Sequence, residues 1–365
     1  MKFSILQEEF EKGINTVYRF INPRPQLPIL SHILMTLEKG RMRLCTTNLE
    51  GGINYWLGVK IEKEGSITIP ARTLLEVVGS LPTGKIDIEE NNGVLTIACA
   101  GSLITIPTTP ANEFPSVLYT LPKQHSTFEN ELFTKITQQV VWAAGGDETK
   151  PVFTGLLFLP REEGIMLVAT DGVRLSRKTI KTSTSLSTKI LIPARIIAEI
   201  PKIFTNTKVI SLALQEEENQ VLFGSDDVVV AVKLLEGEFP DFEKIIPSSW
   251  STTVLLEKEE LQRALRLSSI FAKDFIVKFQ FNARECTLTS EDAQTGTQTT
   301  ALSGKVEGEE ISISFNWRFI HEFLTAVEGE EVQFRFVSPT SPGVFVDPKD
   351  ESFLHLIMPI RTNSE

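Results

Sequence analysis

Three times along the chain a short alternating stretch gives way to a segment with apolar residues at helical spacing. Residues 2–6 alternate, and residues 8–20 then carry Phe10, Ile14, Val17 and Tyr18 on one face. Residues 128–142 repeat the helical pattern with Leu132, Ile136, Val140 and Val141. Residues 253–256 read as a strand, and residues 257–271 follow with Leu261, Ala264, Leu265 and Ile270. Glu8, Glu9, Glu259 and Glu260 fall in first turns, where negative charge complements the helix dipole. Short β-prone runs fill the rest: 66–70, 85–88, 94–99 and 102–106; then 209–214, 220–224 and 228–234; then 311–315, 331–337, 343–346 and 353–358. A second short helix is expected after residues 70, 193 and 316. Many antiparallel strands and two helices per unit, with no room for βαβ crossovers, predict an α+β fold.

The pattern recurs because the sequence does. Thr68-Ile69-Pro70-Ala71-Arg72 is matched by Leu191-Ile192-Pro193-Ala194-Arg195, and Ser314-Phe315-Asn316-Trp317-Arg318 is a worn third copy. The three arginines are 123 residues apart both times. Leu44 to Asn48 is matched by Leu167 to Asp171, with Leu288 to Glu291 as the third copy, which puts Asn48, Asp171 and Glu291 at one turn position. Glu113-Phe114-Pro115 is matched by Glu238-Phe239-Pro240. The chain therefore reads as three tandem, structurally similar domains: 1–121, 122–250 and 251–365. The proline- and polar-rich stretches at 114–122 and 239–250 are the linkers, and 182–188 is a polar loop inside the middle domain.

Composition narrows the class. The chain is 41% apolar and 23% charged, so each unit can bury an ordinary core. No run approaches 18 apolar residues, so no membrane span is expected. The N-terminus meets an acidic run by Glu8 rather than an apolar one, and a cytoplasmic location is expected. Cys45, Cys99 and Cys286 are isolated and read as small buried hydrophobes. A net charge of −11 argues against a nucleic-acid partner, but only on average, since it does not say where the charge lies.

Catalytic patterns are missing. There is no phosphate-binding glycine motif, no HExxH and no GxSxG, so no catalytic residue, metal or cofactor is expected. His32, His125, His321 and His355 are scattered. Asp171 is explained by turn chemistry, and the acidic runs at 216–218 and 226–227 by solvated hairpins. Binding features are present instead. The helical segments carry Lys12, Arg19, Arg72, Lys135, Arg195, Lys202, Arg263, Arg266, Lys273 and Arg318. On a shared face these meet a phosphate backbone without reading bases; otherwise they are ordinary surface charges. The apolar end, Leu354 to Arg361, either completes a core or walls a shallow peptide groove.

With these residues in view, the whole chain resembles the bacterial DNA polymerase III beta subunit family, the replicative sliding clamps. The marks are residues 24–30 (RPQLPIL), 69–72 (IPAR), 169–175 (ATDGVRL), 237–242 (GEFPDF) and 358–361 (MPIR). The resemblance implies a non-catalytic processivity factor for DNA replication: a head-to-tail homodimer closed into a ring, with helices lining the hole and duplex DNA threaded through it. It implies docking of the replicative polymerase alpha subunit, the clamp-loader delta subunit, and other polymerases and repair proteins, within the replisome at the nucleoid. Partners of the family insert a linear motif rich in Gln, Leu and Phe. Matched residue by residue, that groove is Phe153, Thr170, Gly172, Val173, Arg174, Leu175, Pro240, Lys244, Ile245, Leu356, Ile357, Met358, Pro359, Ile360 and Arg361. Phe153 and Val173 depart from the family's usual aliphatic residue and histidine. Arg24 matches a DNA-contacting arginine. In the 145–152 loop only Lys150 offers a phosphate partner, beside Asp147 and Glu148. With the helix residues Arg72, Arg195, Arg263 and Arg266 these form the expected DNA-facing set. The tail 362–365 runs past the usual ending and is expected to screen part of the groove. Two other readings stay open on the residues alone: a peptide-binding scaffold that does not encircle DNA, and a three-domain hydrolase or transferase, which lacks its nucleophile.

Overall fold

The structure, a computed structural model, describes residues 1–22, 24–184, 186–283 and 285–361. In the first third, β1 (Lys2–Leu6) and α1 (Gln7–Tyr18) precede β2 (His32–Glu38), β3 (Arg41–Thr47), β4 (Gly51–Gly58), β5 (Lys60–Lys63) and β6 (Gly65–Pro70). After α2 (Ala71–Gly79) come β7 (Lys85–Asn91), β8 (Val94–Cys99), β9 (Ser102–Pro107) and β10 (Thr109–Pro110). The middle third runs β11 (Ser126–Glu129), α3 (Asn130–Gln139), β12 (Gly155–Arg161), β13 (Gly164–Thr170), β14 (Arg174–Lys181), β15 (Ile190–Pro193), α4 (Ala194–Ile197), α5 (Ile200–Ile203), β16 (Val209–Gln215), β17 (Gln220–Gly224) and β18 (Val228–Lys233). The last third runs β19 (Thr252–Glu257), α6 (Lys258–Ser268), β20 (Ile276–Phe281), β21 (Cys286–Asp292), β22 (Gly296–Leu302), β23 (Gly304–Gly308), β24 (Ile311–Asn316), α7 (Trp317–Ala326), β25 (Glu331–Phe336), β26 (Gly343–Asp347) and β27 (Asp350–Ile357).

Several expectations need correction. A strand, β11, occupies the start of the middle helical pattern, and α3 begins only at Asn130. Its buried ridge uses Phe133, Ile136 and Gln139, while Leu132 is half-buried. Ile270 lies past the end of α6 and is exposed. The second helix of the middle third is two four-residue pieces, α4 and α5. Pro201 sits at the start of α5, where its missing N–H and fixed φ suit a new first turn and interrupt a continuous helix. The third Pro-Ala-Arg copy keeps its helix by another route: the Asn316 side chain caps α7 by accepting from the Arg318 N–H at 3.0 Å. The polar loop at 182–188 has no regular structure among its described residues, and Ser185 lies outside them.

The chain divides into two compact units. One contains residues 1–131, 184–186 and 199–234; the other contains residues 132–183, 187–198 and 235 onward. In the first unit a nine-stranded sheet runs β10-β6-β2-β3-β4-β18-β17-β16-β11, beside a five-stranded sheet β5-β1-β7-β8-β9. In the second, a nine-stranded sheet runs β15-β12-β13-β14-β27-β26-β25-β19-β23, beside a four-stranded sheet β22-β21-β20-β24. Every pairing is antiparallel in both units. Each long sheet is made by joining strands from neighbouring thirds. β4 pairs β18 with Tyr55 opposite Val228 and Gly51 opposite Val232. β14 pairs β27 with Lys178 opposite Phe353 and Arg174 opposite Ile357.

The core of the second unit is dense in aromatic rings. Phe279, Phe281, Phe315, Phe323, Phe334, Phe336 and Phe345 are all essentially inaccessible, and neighbouring centroids lie as close as 4.5 Å. Gly343 allows that density, because a Cβ there would meet Phe315 at 2.7 Å. His355, on β27, is sealed into the same cluster, stacked on Phe323 with ring centroids 5.9 Å apart. Its Nδ1 lies 2.8 Å from the Ser176 hydroxyl, and Nε2 has no partner among the described residues. Burial first, and then the Arg174 charge, hold its pKa well below the ordinary value, so the ring is neutral at pH 7. The unfolded imidazole takes up a proton as pH falls through its ordinary value, and the folded one does not. Stability should therefore fall below about pH 6.5, by up to ~1.4 kcal/mol per pH unit. Urea unfolding of wild type and His355→Gln across pH 5 to 8 checks this: the variant should lack that part of the slope, and parallel curves would remove His355 as its source.

Candidate functional site

One tight turn is built three times. At the β13–β14 corner the Thr170 hydroxyl donates to the Arg174 carbonyl at 2.6 Å and accepts from the Gly172 N–H at 3.1 Å. The Asp171 carboxylate accepts from the N–H groups of Val173 and Arg174. At the β3–β4 corner Thr47 and Asn48 make the same bonds to Leu49, Glu50 and Gly51. In the last third the carboxylate is that of Asp292, which accepts from Gln294 and Thr295. Sequence matching put Glu291 there; the copy is displaced by one residue, and its closing pair, Asp292 with Gly296, encloses one residue fewer than Thr47 with Gly52 or Thr170 with Leu175.

The β13–β14 turn anchors the expected groove residues of the second unit. The Met358 N–H donates to the Val173 carbonyl at 2.8 Å, so the end of β27 and the turn lie side by side. Val173 is 48% and Met358 38% exposed, large apolar fractions for residues on ordered backbone. The Phe153 ring lies 3.7 Å from where a Cβ would sit on Gly172, and that residue's positive φ of 91° favours glycine. Phe239 and Phe242 pack with Leu175 and Leu356 in one buried cluster, and they carry exposed Pro240, Lys244 and Ile245 at its margin. Lys244 pairs with Asp241 at 2.8 Å. Pro359 and Ile360 are half-buried, Arg361 is exposed, and 362–365, the expected groove screen, lie outside the described residues.

Five of the expected groove residues do not form an accessible wall, among them Thr170, which is buried and whose hydroxyl is used within the turn. Leu175, Leu356 and Ile357 are core residues, about 1% exposed or less. Leu175 and Leu356 pack on one face of the sheet with Phe239 and Phe242, and Ile357 packs on the other among the aromatic rings. Arg174 is committed within the protein. Its guanidinium donates to Asp171 at 3.0 Å, to the Trp142 carbonyl at 2.9 Å and to Glu322, and it lies 4.3 Å from the Phe319 ring centroid. Burial lowers its pKa, and Asp171 opposes that shift. Trp142, Phe319 and Glu322 therefore belong to the support of this corner. Nothing in their local sequence marks them, because the contacts join distant segments.

The expected DNA-facing cations are all on the surface. In the first unit Arg24 is exposed, with its N–H bonded to Asn22 at 2.9 Å, and Arg72 is exposed on α2. In the second unit Lys150, Arg195, Arg263 and Arg266 are exposed. Asp147 is occupied by the N–H and hydroxyl of Thr149, which hold its carboxyl below the ordinary range. Among the described residues no group of three or more His, Cys, Asp or Glu side chains could hold a metal ion. No described helix is long and apolar enough to cross a membrane.

Two sheet edges stand out. β9 ends the five-stranded sheet and carries Leu103, 72% exposed. β22 ends the four-stranded sheet, and Ser268 at the end of α6 is tied to it by a 2.8 Å bond to Gln298. Beyond Ser268, Ile270 is 64% exposed, and Leu267 and Phe275 are exposed too.

Comparison with known proteins agrees along the full length. Family models of the DNA polymerase III beta subunit match consecutively: the N-terminal domain over residues 1–119, the central domain over 127–241 and the C-terminal domain over 243–361. The chain is 30% identical to the beta sliding clamp of Streptococcus pneumoniae serotype 4, across 99% of both chains. The crystal structure of the DNA polymerase III beta chain of Streptococcus pneumoniae superposes with a TM-score of 0.94 at 27% identity, covering 99% of this chain and all of that one. The Bacillus subtilis DNA polymerase sliding clamp also gives 0.94, at 26% identity and 99% of each chain. Beta sliding clamps are non-catalytic processivity factors of DNA replication. By its domains, its sequence and its fold, the chain belongs to the bacterial DNA polymerase III beta subunit family, the beta sliding clamps.

Proposed function

We propose that two copies of this chain close head to tail into a ring around duplex DNA and tether replication proteins to it. The observation that carries this reading is the repeated strand joint. β4, β14 and β22 are the fourth strands of their thirds; β18 and β27 are last strands, and β9 is the last of the first third before the two-residue β10. β4 is joined to β18 and β14 to β27, which leaves β22 and β9 as the matching pair not joined to each other among the described residues of one chain. A second copy supplies it, covering backbone donors and acceptors that an open edge leaves exposed. Following the strand pairings from Pro70, Pro193 and Asn316 also gives the register. Tyr55 faces Val228 and Lys178 faces Phe353, so Thr300 should face Ser102 of the second copy. Leu103, Leu267, Ile270 and Phe275 then supply the apolar patch of the joint.

In this reading the three domains, 1–121, 122–250 and 251–365, present Arg24, Arg72, Lys150, Arg195, Arg263 and Arg266 to phosphates. Such contacts carry no base sequence information. Retention follows from closure rather than from affinity. The polymerase alpha subunit, the clamp-loader delta subunit and other polymerases and repair proteins dock through a short motif beside Val173, Met358, Phe153 and Ile245, within the cytoplasmic replisome.

Two experiments test these claims. After loading, the protein should persist on nicked circular DNA and leave rapidly once the circle is cut. Equal loss from both forms would show that it does not encircle. Val173→Ala with Met358→Ala should weaken a Gln- and Leu-Phe-containing polymerase peptide by about 10- to 100-fold in fluorescence anisotropy, with the dimer intact. Unchanged affinity would move the groove elsewhere. Leu175 is unsuitable for this test, because truncating a core side chain leaves a cavity.

A further inference from the structure

Several cations on the helices are already partnered by carboxylates. Arg72 Nε donates to Glu76 Oε1 at 2.8 Å, one turn along α2. Glu199, between α4 and α5, accepts from two directions: Arg19, just past α1, donates to Oε2 at 2.7 Å, and Lys202 donates to Oε1 at 2.7 Å. Arg263 on α6 lies 3.8 Å from Glu257 and 3.7 Å from Glu259. Arg24 and Arg266 have no ion pair among the described residues. The Glu199 pair joins segments 180 residues apart, so it is a product of the fold rather than of helix spacing. Desolvation acts to raise the Glu199 pKa, but the hydrogen bonds from Lys202 and Arg19 outweigh it, and the carboxyl stays charged at neutral pH.

A phosphate that approaches Arg19, Lys202 or Arg72 must displace a carboxylate already in place, and it also meets that carboxylate's charge. Each such cation therefore gives less than a full phosphate contact, and releases fewer counterions, than an unpaired one. We infer that Glu199 and Glu76 are built-in competitors for the DNA backbone, which hold cations at the helix surface while keeping the grip on DNA weak. Their role is to position and neutralise; they do not bind DNA. The inference rests on the DNA-encircling reading above and adds to it which residues limit the drag on sliding.

The test uses the full-length dimer with a short fluorescent duplex, whose open ends let it enter a closed ring. Binding is measured between about 50 and 200 mM salt. Glu199→Gln and Glu76→Gln, nearly isosteric and each checked by thermal melting, should tighten binding about two- to fivefold per released cation. Their salt dependence should steepen by about one unit of slope per added phosphate contact. Glu217→Gln, the same charge change on the exposed β16–β17 hairpin, should leave binding unchanged, and an equal gain there would mean a general effect of reduced negative charge and overturn the competitor role. If Arg24→Ala weakens binding while both glutamine variants match wild type, the competitor role is wrong and the DNA reading stands. If wild type shows no salt-dependent binding and Arg24→Ala changes nothing, both fail.

Discussion

A strand edge exposes a row of backbone donors and acceptors, and something must pair with them or screen them. In this chain that requirement is met by joining one repeat to the next. Five residue pairs link β4 to β18, and five link β14 to β27, each in the same antiparallel register. Each backbone hydrogen bond contributes only ~1 kcal/mol net, but the joints also fix which side chains face inward. Val229 and Ala231 on β18 pack under Val117 and Leu118 of the first linker. Leu354 and Leu356 on β27 pack with Phe239 and Phe242 of the second. The site at the β13–β14 turn depends on this arrangement. Met358 reaches Val173 because β27 continues alongside β14, and Arg174 reaches Glu322 from the same joint.

The charge distribution follows a related economy. The chain carries a net charge of −11, yet cations sit on the helix surfaces of both units. A strongly basic wall would hold DNA tightly and slow any movement along it. Pairing Arg72, Arg19, Lys202 and Arg263 with glutamates leaves a mixed surface. Such a surface is compatible with contact that is frequent but weak, provided closure of the assembly, not affinity, keeps the DNA in place.

Much of this was legible in the residues. The 123-residue spacing of Arg72, Arg195 and Arg318 marks three units, and period-two alternation places most strands within a residue or two. The break at Pro201 was missed by the expectation of a single second helix, although a proline there is a local signal for it. What could not be read was long-range pairing. No local pattern says that β4 meets β18 or β14 meets β27, because edge strands choose partners through register and burial rather than composition. Leu356 and Ile357 illustrate the difficulty. Their apolar character suits a groove wall as well as a core, and only the packing on the two faces of β27, Leu356 with Phe239 and Phe242 and Ile357 among the aromatic rings, decides for the core. Arg174 is similar: a matched arginine reads as a binding residue, but Asp171, Glu322 and the Trp142 carbonyl already satisfy it.

The central claim is that a second copy continues the joint pattern, and a register-specific cross-link tests it most directly. Tyr55–Val228 and Lys178–Phe353 are the corresponding pairs in the two internal joints. The ladder bonds from Lys233 to Glu50 and from Met358 to Val173 place both at non-hydrogen-bonded positions, where side chains are closest. Ser102→Cys with Thr300→Cys should therefore oxidise to a covalent dimer carrying two intersubunit disulfides, while Ser102→Cys with Gln298→Cys should not. Native Cys99 lies directly opposite Ser102 in the β8–β9 hairpin, so both variants are made in a Cys99→Ser background; Cys45 and Cys286 are buried. A protein that stays monomeric at micromolar concentration, or one whose cysteines cross-link equally well in both registers, would contradict the account.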